Sequence, residues 1–376
     1  MPKIKSVVTA FDLITAYGEG IQPCWEGISA NRSSISKVNR FSTQSFQSEN
    51  AATVAGLKYL GDNSLVMQML SALLKRNRAL IPTDSLLILA TTTGEIDILE
   101  KQILRGIGDA AESKFRFLLD KVKNMTNIRG DGEIISSACA SSSAAIGFAS
   151  SLIYSGKHDC VLVVAADAVT EFVFSGFSSL MALDPDEAKP FDKNRAGLSL
   201  GEGVGFILLM SEKRAKKEAR KILGEVAGWA VTGDANHMTG PARDGSGLCL
   251  AIQKAMKKAD ISSDDVGSIS SHGTGTVYND AMEMKVYNRI FNGSPVPLYS
   301  VKGAIGHTMG AAGLIETIIA LQVLQERIIP TTVGLKDVDP EARDWASLEK
   351  RTLEKSAILL NNAGFGGVNA ALVLKQ

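Results

Sequence analysis

The chain has 376 residues, 45% apolar and 21% charged, and its 40 Lys+Arg balance its 40 Asp+Glu. That length suggests two core-forming halves rather than one simple core, and the composition is that of an ordinary globular chain. Zero net charge, with no basic block interleaved with aromatics, argues against nucleic acid or an anionic membrane as the main partner.

The N-terminal Met1-Pro2-Lys3-Ile4-Lys5 enters an apolar run, Ser6–Ala10, that is too short for a secretory signal. Nowhere do 18 or more uncharged apolar residues run together, so no membrane span is expected. Cys24, Cys139, Cys160 and Cys249 show no C-x-x-C spacing. A zinc site is therefore not expected, and a reducing cytoplasm suits these isolated thiols.

In chain order, Lys5–Ala10 reads as a strand, Asn63–Arg76 as a helix and Ser85–Ala90 as a strand. A helix over Ser143–Ser155 is followed by strands at Cys160–Ala165 and Val204–Met210. Ser211–Lys221 (SEKRAKKEARK) is the most charged segment and reads as a solvated helix face. It separates Val204–Met210 from another apolar strand, Ile222–Ala227, so it is taken as the seam between residues 1–221 and 222–376. Beyond it come a helix over Gly247–Lys258, strands at Gly267–Ser271 and Pro297–Ser300, and a helix over Gly310–Gln325. Strands at Ile358–Asn361 and Ala370–Leu374 close the chain. Several strands are continuously apolar, as in sheets covered on both faces, and their alternation with helices predicts an α/β layered fold.

Three segments carry the chemistry. Ile134–Gly147 places Cys139 before a helix of tiny residues, which can be packed closely on all sides. A thiol at a helix start meets the positive end of the macrodipole, which predicts a lowered pKa and a nucleophile; a small buried hydrophobe is the plainer reading. Of the four histidines, His272 stands in Ser270–Thr276, a strand-end loop, and His307 in Lys302–Gly313, a glycine-rich loop opening into another small-residue helix. Singly, either could be a satisfied structural residue. Together with the cysteine they point to a Cys/His site. His158 lies in a polar turn and reads as surface; His237 is a loop residue, read as structural before channel-lining. Lastly, Asn361–Asn369 is a glycine turn around Phe365, either a core plug or a mobile loop offering its N–H to an oxyanion.

With Glu19–Ile28, Lys189–Gly197 and Gly201–Gly205, these segments resemble, over essentially the whole chain, the elongating (synthase I/II) β-ketoacyl-[acyl-carrier-protein] synthases of the thiolase superfamily. The resemblance implies a thiolase fold: two pseudo-symmetric halves, each with a mixed five-stranded sheet, stacked in five layers αβαβα. It implies Cys139 as nucleophile, His272 and His307 as catalytic histidines, and Cys139 and Phe365 N–H groups as oxyanion hole. Phe365 becomes the gatekeeper between Gly364 and Gly366, and Lys302 the motif lysine, paired with Glu283. Asp280, Thr274 and Thr276 support the same site. Malonyl decarboxylation would then deliver a carbanion to an acyl-cysteine. No metal or organic cofactor is implied, since phosphopantetheine arrives on acyl carrier protein. The family is normally dimeric, as a homodimer or with a chain-length-factor subunit. The chain is shorter than its relatives before the cysteine, Ala363 replaces a bulkier residue, and Thr91–Asp97 departs from the pattern where acyl pocket and partner are expected. These departures suit a specialised enzyme of secondary metabolism. The competing readings are a thiolase or CoA-primed initiating synthase, which His307 in its loop disfavours, and a chain-length factor, which Cys139 disfavours.

Overall fold

The computed structural model describes residues 4–376. Ten strands form one hydrogen-bonded path. The first five are β1 (Ser6–Thr15), β2 (Leu86–Ala90), β3 (Gly132–Ile135), β4 (Cys160–Asp167) and β5 (Gly203–Ser211). The second five are β6 (Gly224–Gly233), β7 (Val266–Ser270), β8 (Leu298–Tyr299), β9 (Ala357–Gly364) and β10 (Val368–Lys375). The helices that matter here are α1 (Leu65–Asn77), α2 (Phe115–Thr126), α3 (Ser141–Tyr154), α4 (Glu171–Ser179), α5 (Glu212–Lys217), α6 (Ser246–Ala259), α7 (Val277–Ile290) and α8 (Ala312–Glu326).

The strand order is β8-β7-β9-β10-β6-β1-β5-β4-β2-β3. β1, β5 and β4 pair antiparallel, and β4, β2 and β3 parallel. β6, β10 and β9 likewise pair antiparallel, and β9, β7 and β8 parallel. Each strand thus has a counterpart five strands later. The two five-stranded sheets meet only where Val7 and Val8 of β1 face Glu225 and Gly224 of β6.

Side-chain alternation along the strands explains the layers. Ile88, Val163 and Ile207 of one sheet, and Ile358, Leu372 and Leu374 of the other, share a core with α3 and α8. The opposite face of the first sheet, Leu87, Leu162 and Leu208, packs on Leu70 and Leu73 of α1 and Leu118 and Val122 of α2. Ile269, Leu359 and Val373 do the same against Ile252 of α6 and Val286 of α7. The result is the five-layered αβαβα thiolase fold. β4 and β5 are buried at every position, as their unbroken apolar runs predict. α3 and the first residues of α8, Ala312 and Gly313, are small where the two helices touch: a Cβ on Gly313 would lie 2.0 Å from Ser143 Oγ.

Three local expectations change. β3 was not foreseen, since Gly132-Glu133-Ile134-Ile135 is short and half-exposed at a sheet edge. β6 runs on past Ala227 to Gly233. The charged seam is only a six-residue helix; Lys213, Lys216 and Lys217 are exposed on it, whereas Arg214 is held by Asp84 (2.8 Å), Asp159 (2.7 Å) and Glu218 (2.7 Å). Among the described residues, no helix is long and apolar enough to cross a membrane.

Candidate active site

The site forms where the strand ends of both halves converge on the middle layer. Cys139 follows β3 through a sharp bend, with Ala138 at φ +47°, and sits two residues ahead of α3. A non-glycine residue in that left-handed region costs on the order of 1 kcal/mol, which surrounding hydrogen bonds must offset. Ser141 supplies one, its Oγ donating to the Ala138 carbonyl at 2.6 Å. The bend turns the sulfur toward a cavity of about 420 Å³ that His272, His307, Thr274, Thr276 and Phe365 also line. The cavity reaches solvent beside Met181 and Tyr278, both well exposed.

The thiol departs from the sequence expectation. Burial pushes it up to about 11, against the opposing pull of Lys302 and of the N–H groups of Phe365 and Cys139 itself. Desolvation outweighs the helix start, so the resting group is a thiol. The N–H groups of Phe365 and Cys139 both face the sulfur.

His272 and His307 lie edge to face, ring centroids 5.3 Å apart. Burial, reinforced by Lys302, holds both well below the ordinary histidine range, so both are neutral. Their tautomers follow from their neighbours. Met309 N donates to His307 Nδ1 at 3.3 Å, which leaves the proton on Nε2, and that buried Nε2 has no protein partner. Asn362 is oriented by Ser143, which donates to its Oδ1, and by Glu316, which accepts from its Nδ2 at 2.7 Å. Its Nδ2 therefore also faces His272 Nδ1, 3.4 Å away, as a donor, and the His272 proton too belongs on Nε2.

Lys302 is buried and donates to the His272 carbonyl at 2.6 Å. Its acid is Glu316 on α8, not Glu283. Glu283 is occupied elsewhere: it accepts from His272 N (2.8 Å), Gly273 N (2.7 Å), Asn279 (2.8 Å), Tyr287 (2.6 Å) and Asn361 (2.8 Å). It thereby fixes the backbone that carries His272. Asp280 accepts from Phe191 N at 2.9 Å, and burial together with Glu283 pushes it up to about 6. The Thr274 and Thr276 hydroxyls are 2.9 Å apart on the cavity wall.

Gly364 lets its loop lie on the Ala138–Cys139 bend, since a Cβ there would be 3.1 Å from Ser137 O and 3.2 Å from Cys139 N. Gly366, at φ +82°, donates its N–H to Met238 O at 2.6 Å. Between them Phe365 stacks on Phe177 of α4, centroids 5.7 Å apart. His237 lines the cavity mouth, and its Nδ1 also accepts from Thr239 N (3.1 Å) and Gly240 N (3.0 Å). His158 is exposed. Cys24, Cys160 and Cys249 are buried and free, and none lines the cavity. The sequence did not single out Glu316, Asn362 or Phe177, although Asn362 lies inside the Asn361–Asn369 glycine turn and Glu316 three residues past the Lys302–Gly313 loop.

Residues 121–215 match the beta-ketoacyl synthase N-terminal domain and residues 223–336 its C-terminal domain. The chain is 30% identical to the 3-oxoacyl-[acyl-carrier-protein] synthase 2 of Synechocystis sp., over 100% of this chain and 99% of that one. The chain belongs to the β-ketoacyl synthase family. The Vibrio cholerae 3-oxoacyl-[acyl-carrier-protein] synthase 2 is 29% identical to the synthase over the full length of both. That alignment spans 425 positions against the 376 residues here, so the relative carries insertions. Among solved structures, the ishigamide ketosynthase/chain length factor matches the synthase with TM-score 0.89 and 27% identity, over 100% of this chain and 99% of that one. A type II PKS ketosynthase in complex with its acyl-carrier protein, bound to the hexaketide, matches with TM-score 0.89 and 25% identity over 99% of each.

Proposed function

We propose that the synthase joins an acyl group held on Cys139 to a malonyl unit carried by acyl carrier protein, as an elongating enzyme of fatty-acid or polyketide biosynthesis. The observation that carries this reading is the unpartnered Nε2–H of His307 beside the neutral His272, in the cavity that also holds Cys139. Two neutral donors lining one cavity suit an enolate oxygen.

In the first half-reaction the Cys139 sulfur attacks an acyl thioester, and the N–H groups of Cys139 and Phe365 hold the oxyanion. The thiol proton leaves with the departing phosphopantetheine sulfur. A thiol pushed up to about 11 must lose its proton as it attacks rather than beforehand. In the second, the malonyl thioester carbonyl lies against His272 and His307 Nε2–H. The C–C bond to the carboxylate breaks, CO₂ leaves, and the electron pair becomes an enolate on that oxygen. Its carbon attacks the acyl-cysteine, the Sγ–acyl bond breaks, and the sulfur regains a proton from solvent. Lys302 holds the His272 carbonyl and, with Glu316, keeps the positive charge beside both rings that disfavours their protonation. Glu283, Asp280, Thr274, Thr276, Gly364 and Gly366 shape the walls and loops. These steps draw only on side chains and backbone named above, with the phosphopantetheine arm supplied by the substrate.

We place the division between halves at residues 221/222, and the protein in the cytoplasm, which suits four free cysteines. The assembly is a homodimer or the catalytic half of a pair with a chain-length-factor-like subunit; the ishigamide ketosynthase/chain length factor supports the second.

Cys139→Ala tests the assignment. It is expected to lose condensation while still decarboxylating malonyl-carrier protein, because both enolate donors remain. Chain extension at the wild-type rate would refute it. Intact mass after incubation with a panel of acyl-carrier proteins then reports the acyl group accepted at that one sulfur.

A further inference from the structure

The two halves repeat residue by residue at the strand ends. Ala165 of β4 faces Ala90, the last residue of β2, and Leu360 of β9 faces Ser270, the last residue of β7. Two positions further along stand Asp167 and Thr92 in one half, and Asn362 and His272 in the other. Asp167 is therefore the counterpart of Asn362, and Thr92 of His272.

Asn362 touches His272 in its own half and crosses to Ser143 of α3 in the other. Asp167 mirrors this. In its own half it gathers the Thr91–Thr93 turn, accepting from Thr91 Oγ1 (2.9 Å), Thr92 N (2.9 Å), Thr93 N (2.9 Å) and Thr93 Oγ1 (2.9 Å). It then crosses to Gly310 N at 2.8 Å, ahead of α8. Gly310 fits against it with no room to spare, since a Cβ there would lie 2.6 Å from both Asp167 Oδ2 and Thr92 Oγ1. The preceding Met309, at φ +52°, is the residue whose N–H meets His307 Nδ1. Thr92 Oγ1 meanwhile donates to the carbonyl of Ala138, beside the nucleophile, at 3.3 Å.

We propose that Asp167 is a positioning residue for His307: its carboxylate anchors the Met309–Gly310 turn that sets the His307 tautomer, and through Thr92 it ties that turn to the Ala138–Cys139 bend. Three of its five partners are backbone N–H groups, which can only donate, and two of them, Thr92 N and Gly310 N, meet at Oδ2 while Thr93 N meets Oδ1; an acceptor-only carboxylate satisfies all three and an amide cannot. This explains why Thr91–Thr93 takes its form: the turn supplies four of the hydrogen bonds that a fully buried carboxylate requires. The inference rests on the reading of His307 as an enolate donor.

The test is malonyl-carrier-protein decarboxylation by Asp167→Asn, His307→Asn and the double variant. Asp167→Asn is expected to be slower by about tenfold to a hundredfold, the cost of a catalytic group displaced by a fraction of an ångström to an ångström. The double variant should be no slower than His307→Asn alone. Alkylation of Cys139 by iodoacetamide should meanwhile shift to lower pH in Asp167→Asn, because the nearby carboxylate pushes that thiol up. Because unfolding would also lower that thiol by removing its burial, the shift is read only in a variant whose thermal melt shows it folded. If Asp167→Asn does not fold, Asp167→Glu, which keeps the charge but lengthens the reach, should show the same slowing. Wild-type decarboxylation in the variant that folds, or losses that multiply in the double variant, would overturn the proposal. Wild-type decarboxylation by His307→Asn would instead sink the reading on which it rests.

Discussion

Lys302 is a fully buried ammonium, and its two acceptors come from different parts of the chain: the His272 carbonyl and the Glu316 carboxylate. Removing one member of such a pair leaves a charge stranded in a low-dielectric interior, which typically costs about 3–5 kcal/mol. Glu316→Ala is therefore expected to lose stability on that scale in a urea melt. Lys302→Met combined with Glu316→Leu should recover most of it while leaving activity impaired. Sequence alone could suggest that the lysine needs an acid but not which one. Glu316 is one of two carboxylates in Ala312–Glu326, and nothing in the sequence says that it lies buried while Glu326, at the helix end, is exposed. Cys139 was legible as a candidate from its small-residue setting, but its protonation was not. The helix start is visible in sequence, whereas the depth of burial that outweighs it is a tertiary property.

At the level of elements, the decisive contact is α3 against α8. Gly313 of α8 approaches Ser143 of α3 so closely that a methyl group would meet Ser143 Oγ at 2.0 Å and Asn362 Oδ1 at 2.6 Å. Gly313→Ala must separate the helices or displace Asn362, and overpacking of this kind costs about 1–3 kcal/mol. The expected result is a lower melting temperature with a larger loss of decarboxylation than of overall fold, because Asn362 orients His272. Unchanged kinetics in Gly313→Ala would show that His272 does not depend on this contact. The small-residue helices were readable from Ile134–Gly147 and Lys302–Gly313, as were most of the continuously apolar strands. The strand order was not, since period and composition say nothing of which neighbour a buried strand chooses. β3 escaped notice because four residues at a sheet edge show neither alternation nor a long apolar run.

For the whole molecule, the buried histidines predict a pH dependence of stability. Both are held neutral in the fold, while in the unfolded chain they titrate near 6.5. Below that pH the unfolded state binds more protons than the native one, so stability falls as pH falls. Each histidine contributes a slope of up to about 1.4 kcal/mol per pH unit. His272→Asn should make the decline between pH 6.5 and 5 shallower by about that amount in parallel denaturant titrations. An identical slope in wild type and variant would mean that His272 is not held neutral. Finally, the two sheets share only the short pairing of β1 with β6, while the middle helices interlock across the junction. The covalent link near Lys217–Gly224 therefore does little to hold the halves together. Separately produced fragments ending and beginning there should find each other when mixed, and because the cysteine and the histidines lie on opposite fragments, recovered turnover would count the reassembled pairs.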